Sequence, residues 1–402
     1  MHVRTCLVSA LLATALMTPY GAVTAPAEAT TGPAPADLST GGASTTDRCS
    51  PTVGINGFDD SLDGTVLDGM PVANLSALAR TYHGFDLALS DRSVLFTWDP
   101  VTRRPSSAVV LADADGKALD SEAVTADRDG SVLIASETGP SVLRFARDGR
   151  LLGKLPVPDA LRTAPAGRAR TNGSFEGLAM QPDGRTLVAS MEDALTGDGP
   201  DWRRFQTWSR GAVGGWRLSA QYAYRADPGM GVSDITPVRD GRLLVLERSL
   251  DPARPAVRLL VADLRGATDV SAAPVIEDGS PVEPVRKTLL ADIAACPSLG
   301  APSKVPLPNP LLDNIEGLMV TGGHPRLGLR VLMVSDNNES ALQTTRVYDL
   351  RVVLPRLDPS AANGAPRGTA EPEKVTSRQA GTWPALLFPG RPSTPWTGTP
   401  PS

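Results

Sequence analysis

The stretch FEGLAMQPDGRTLVASMED places one carboxylate, Glu176, just after its start and a second, Glu192, just before its end. Four other stretches are built alike: LSALARTYHGFDLALSDR, SEAVTADRDGSVLIASETG, SDITPVRDGRLLVLERS and IEGLMVTGGHPRLGLRVLMVSDNN. Their leading residues are Ser76, Glu122, Glu176, Asp234 and Glu316, and their closing acids are Asp91, Glu137, Glu192, Glu247 and Asp336. The separations within the pairs are 15, 15, 16, 13 and 20 residues. A carboxylate can give or take a proton, or supply oxygen to a hard cation such as calcium. Asn337, in SDNNES, adds an amide oxygen. Arg92 and Arg248 directly follow closing acids and could hold a phosphate or carboxylate in bidentate fashion.

Each stretch alternates apolar and polar residues on both sides of a Gly-containing turn, the signature of an antiparallel hairpin. Between them lie further strand-like runs, such as SVLRFARDGRLLGKLPVP, VRLLVADLRG and GGWRLSAQYAYRAD, with no helical period. Two hairpins per unit, with units starting 46, 54, 58 and 82 residues apart, predict four-stranded blades of an all-β propeller. Five units are recognisable, so the expectation is five or six blades. The segment GINGFDDSLDGTVLDG either adds the outer strand that closes the last blade or belongs to a sixth.

In a blade the innermost strand starts at the same end of the molecule where the second strand stops. Leading and closing residues thus become neighbours, and up to nine carboxylates would surround one mouth of the central channel. Crowded like charges raise one another's pKa or recruit a cation. The expected ion is calcium, on Glu122, Glu176, Glu192, Glu247, Glu316, Asp336 and Asn337. The leading acids Glu122, Glu176, Asp234 and Glu316 are the catalytic candidates; Arg92, Arg248 and Asn172 are the candidates for substrate binding. Ser76 interrupts the pattern and would leave one side of the ring open. A recurrent carboxylate has a second use, accepting backbone N–H bonds to fasten neighbouring blades, and that alternative stays open, above all for the closing acids.

The rest of the 402-residue chain bounds the setting. Residues 1–29 have a weakly basic start, the apolar run CLVSALLATALM and a small-residue exit at Ala27-Glu28-Ala29, which reads as a secretory signal. Residues 30–46 form a low-complexity lead-in, residues 47–357 the folded body, and residues 358–402 a Pro/Gly-rich tail expected to be disordered, with one apolar patch, WPALLF. No stretch is long enough to span a bilayer. Net charge is −5, and the basic residues are scattered, which leaves no nucleic-acid footprint. An exported monomer acting on a small anionic or ester substrate is expected. Cys49 and Cys296 pair most simply as one disulfide in an oxidising compartment, the alternative being two buried thiols.

Conventional hydrolytic motifs are missing. Past the signal the histidines are His83 and His324, both in predicted turns at the wrong end of a blade. There is no G-x-S-x-G elbow, no P-loop, no glycine-rich dinucleotide fingerprint and no cysteine–histidine cluster for zinc. Hydrolysis would have to use carboxylates, water and a metal.

GSFEGLAMQPDGRTLVASMED, GRLLVLERS, NIEGLMV and VLMVSDNN, in that order, resemble the secreted phytase-like family named for the esterase-like activity of phytase. The resemblance runs over about residues 54–350. It implies a β-propeller whose recurrent acids form the site, here Glu122, Glu176, Glu192, Glu247, Glu316 and Asp336. The chain departs from the family's E-G-L start at SEAV and at Ser233-Asp234. Together these readings predict a calcium-dependent hydrolase of phosphate esters or related small esters. A lactonase-like carboxylester propeller and a non-catalytic extracellular binding propeller are the alternatives.

Overall fold

The computed structural model describes residues 47–357, except 138, 212, 213 and 252. The expected signal (1–29), lead-in (30–46) and tail (358–402) lie outside the described residues. Strand β1 (Val53–Asp59) comes first, followed by a small hairpin, β2 (Val66–Leu67) and β3 (Met70–Pro71). Blade one is β4 (Leu75–Arg80), β5 (Asp86–Ser90), β6 (Val94–Trp98) and β7 (Pro105–Val110). Blade two is β8 (Ser121–Ala126), β9 (Val132–Ser136), β10 (Ser141–Phe145) and β11 (Leu151–Lys154). Blade three is β12 (Phe175–Met180), β13 (Thr186–Met191), β14 (Trp202–Ser209) and β15 (Arg217–Arg225). Blade four is β16 (Met230–Pro237), β17 (Leu243–Ser249), β18 (Val257–Asp263) and β19 (Arg286–Asp292). Blade five is β20 (Ile315–His324), β21 (Gly328–Ser335) and β22 (Val347–Val352), completed by β1 on its outer edge.

The protein is thus a five-bladed β-propeller, and the open question of a sixth blade is settled by β1. That strand pairs antiparallel with β22, Val53 opposite Val352 and Asp59 opposite Val347. The innermost strands β4, β8, β12, β16 and β20 contact one another in a closed circle. They are buried on both faces, apart from the second half of β20; the outer strands β7 and β11 are largely exposed.

Burial explains why the blades stand as they do. The apolar core is divided into wedges, one between each pair of consecutive blades. Leu87, Ile134 and Phe145 fill the first, Leu178, Leu187 and Trp208 the second, Phe205, Tyr224 and Val245 the third. Leu246, Leu259 and Met333 fill the fourth, Leu78, Phe96 and Met319 the fifth. The hairpins turn as the sequence predicts. In blade three Asp183 Oδ1 accepts the N–H groups of Arg185 (2.7 Å) and Thr186 (2.9 Å), while Gly184 takes the positive φ of 65°.

The long spacing before blade five reflects two irregular segments, 264–285 between β18 and β19 and 296–314 before β20. The second begins at Cys296, which forms a disulfide with Cys49 just ahead of β1. Among the described residues no helix is long and apolar enough to cross a membrane.

Candidate functional site: an acidic ring at the channel mouth

The site is built from one repeated irregularity. In blade one Leu75 pairs with Ser90 and Ala77 with Leu89, so Ser76 is left over as a β-bulge. Blade two does the same at Glu122, blade three at Glu176 and blade five at Glu316. A bulged residue is unpaired and its side chain is re-aimed, here into the channel. The three glutamates perturb one another electrostatically: Glu122 and Glu316 both act on Glu176, and Glu316 on Glu122. One residue beyond the paired end of each second strand comes the closing acid. Its backbone N–H donates to the residue before the innermost strand: Asp91 to Asn74 O, Glu137 to Asp120 O, Glu192 to Ser174 O and Asp336 to Asn314 O, at 2.7–3.0 Å.

Blade four is set one residue differently from the sequence alignment. Val232 pairs with Glu247 and Asp234 with Leu246, so the bulge falls on Ser233, and the closing position, opposite Gly231, is Arg248. Asp234 therefore leaves the ring. Its Oδ1 accepts the N–H of Ile235 and its Oδ2 the N–H of Leu318 in blade five, each at 2.7 Å. Glu247 also turns away, fully buried, to accept from Tyr224 Oη (2.6 Å), Asp227 N (3.0 Å) and Lys287 Nζ (2.7 Å). Asp234 and Glu247, expected in catalysis and in metal binding, are thus both engaged in bonds that hold strands and blades together. The signal was present in the spacing. Ser233 and Arg248 are 15 residues apart, as in blades one and two, whereas Asp234 and Glu247 are 13 apart.

The ring consequently contains a cation of its own. Arg248 Nη2 lies 2.9 Å from Glu192 Oε1 and 3.4 Å from Glu316 Oε1. Asn314 Nδ2 donates to Glu316 Oε1 at 2.9 Å. Arg92 sits at the rim, 3.5 Å from Asp91 and 3.4 Å from Glu339. Asn337 Oδ1 accepts the N–H of Asn74 (3.1 Å), which ties blade five to blade one. Asn172 is exposed, at a φ of 51°, in the loop leading to β12. Asp120 was not singled out in the sequence, although it stands two residues before Glu122. One oxygen each from Asp120, Glu122 and Glu137 lie within 4.8 Å of one another, a group that could hold a metal.

Burial dominates the electrostatics. It drives Glu122 and Glu176 well above the usual carboxylate range, with the neighbouring glutamates adding to the rise. Burial takes Glu137 up to about 7 against the N–H of Ser174, which donates to its Oε1. It takes Glu316 up to about 8 against the attraction of Arg248, and Asp336 up to about 6 against the N–H of Asn338. Asp234 is also raised by burial, but no ring carboxylate acts on it, as its position implies. Around the ring, Ser76 Oγ and Ser174 Oγ are buried without a hydrogen-bond partner. Unanswered buried polar atoms beside crowded carboxylates fit a hard, oxygen-bound cation and its water.

Fold and site together define a propeller with an acidic axial site. Over residues 70–339 the chain matches the Phytase-like family, described as "Esterase-like activity of phytase", and it belongs to that family. It is also 28% identical, over 178 residues, to an "Uncharacterized secreted protein" of Arthroderma benhamiae. That match covers 38% of this chain and 33% of the relative, so the chain spans about a third of the length of the curated relative it matches. A secreted relative and a disulfide fit an extracellular setting.

Proposed function

We propose that this chain is a calcium-dependent hydrolase of small esters, phosphate esters foremost, acting at the acidic ring. The observation that carries the reading is the convergence of buried, protonatable carboxylates from blades two, three and five, answered by one guanidinium from blade four. Asp120, Glu122 and Glu137 would hold the ion, with Glu176 close by. Calcium bound there would polarise the ester and neutralise charge developing on it. Arg248, already between Glu192 and Glu316, is placed to orient an anionic ester oxygen. Glu316, with a pKa near 8, exchanges its proton close to neutrality and serves as the acid or base for water or the leaving group.

The test is hydrolysis of a phosphomonoester, a phosphodiester, a carboxylester and a lactone by the purified protein, with calcium and with chelator. Calcium-dependent turnover of a phosphate ester that falls by roughly 100-fold or more in Glu176→Gln is the expected result. Turnover of the lactone alone would move the assignment to a lactonase. A folded protein that turns over none of the four would be a binding propeller instead.

A further inference from the structure

A cleft of about 360 Å³ opens between blades four and five, and Arg248 and Asn314, both in contact with Glu316, are among the residues that line it. Its walls come from the β17–β18 loop, the β21–β22 loop and the irregular segment before β20. They are mostly apolar. Val257 is buried and Leu307 half-buried, while Leu250 and Leu342 are 40% and 61% exposed at the mouth. Two exposed leucines at the mouth of a mostly apolar cleft beside a polar site offer a surface that an apolar group could cover.

Two of the cations along this face are engaged away from the ring. Lys304 Nζ lies 2.7 Å from both Asp63 Oδ2 and Gln343 O, and Arg92 is held at the rim by Asp91 and Glu339, which leaves Arg248, beside Glu192 and Glu316, to meet an anion. A substrate carrying several phosphates would find acids around it and few free donors.

We infer that the cleft is the specificity subsite for the ring, and that the substrate is an ester with a single anionic or ester head and one aliphatic or aryl arm. The head meets Arg248 and the ring; the arm lies between Leu250, Leu307 and Leu342. This rests on the proposed function, because the cleft has a head-group partner only if the ring binds the ester.

The test uses probes that are not hydrolysed. Ethyl-, hexyl- and decylphosphonate are titrated calorimetrically into the calcium-loaded protein and into a Leu250→Asp/Leu342→Asp variant, both substitutions being at exposed positions. Affinity should climb roughly threefold per added methylene until the cleft is filled. The variant should lose that climb and keep its affinity for ethylphosphonate, which also reports that it is folded. Ethylphosphonate binding with no dependence on chain length, or a climb that survives in the variant, overturns the subsite and leaves the ring intact. Fructose 1,6-bisphosphate binding more tightly than decylphosphonate overturns the substrate class. Failure of all the phosphonates to bind overturns the ring reading and the subsite with it.

Discussion

At the scale of the residue, the same carboxylate chemistry serves two opposite ends, and neighbouring blades show both. Glu176 is buried among like charges; Asp234 is buried among backbone donors. Replacing Asp234 by Ala strands two N–H groups between blades and should lower stability by about 1–3 kcal/mol per group, measured by denaturant unfolding, with calcium affinity unchanged. Replacing Glu176 by Gln should do the reverse: weaker calcium binding by calorimetry, and stability in chelator that falls less steeply as pH rises, since one buried group that ionises against its neighbours is gone. The pH dependence follows from the ring. Folded Asp336, Glu137 and Glu316 hold protons up to about 6, 7 and 8, whereas unfolded carboxylates titrate near roughly 4. Between those values the native state binds more protons than the unfolded one, so stability without metal must fall as pH rises from about 5 to about 8. Calcium should raise the melting temperature, more at pH 8 than at pH 5, because its ligands must first ionise. A calorimetric melting temperature that is flat with pH would mean the carboxylates do not crowd. The leading glutamates of blades two, three and five were legible because each opens a hairpin that a second acid closes 15, 16 or 20 residues on. Blade four was misaligned by one residue because its acid, Asp234, stands one place after the bulge, and only strand register separates a bulge from its neighbour.

At the scale of the element, the bulge also accounts for the small residue that follows it. Ala77, Ala123, Gly177 and Gly317 occupy that place, where the innermost strands press together. A Cβ on Gly317 would meet Val334 Cγ1 at 2.6 Å and Ala77 Cα, in the next blade, at 3.1 Å. Gly317→Ala should therefore destabilise the protein by about 1–3 kcal/mol, seen as a shift of the denaturation midpoint, through overpacking rather than backbone strain. The E-G-L motif is thus two instructions in consecutive residues: a side chain sent into the channel, then no side chain where blades touch. The hairpins themselves were readable from alternation and Asp-Gly turns, which are local. The segments 264–285 and 296–314 were not, since their course is set by what they pack against. The cleft walls formed by the latter were hidden with it.

At the scale of the whole molecule, stability is shared among interblade wedges, so the ring is as strong as its closure. Two devices close it: β1 completing blade five, and the Cys49–Cys296 link between the start of the body and the end of blade four. The disulfide spans a sequence separation of 247 residues. Cys49→Ser/Cys296→Ser should cost about 2–5 kcal/mol, read from urea unfolding against the oxidised parent. An unchanged midpoint would leave β1 as the sole effective fastening. The cysteine pair was legible by count, but whether the first segment closed the last blade or began another required the pairing of β1 with β22. That pairing also orders events in time. A chain made from its N-terminus carries β1 as a strand without a mate until β22 has been synthesised. Until then the blades can stack only into an open crescent, with the acid circle gaping and its charges spread. A polypeptide threaded through a membrane while still growing would cross in that unlatched form, and would become a closed ring only on the far side.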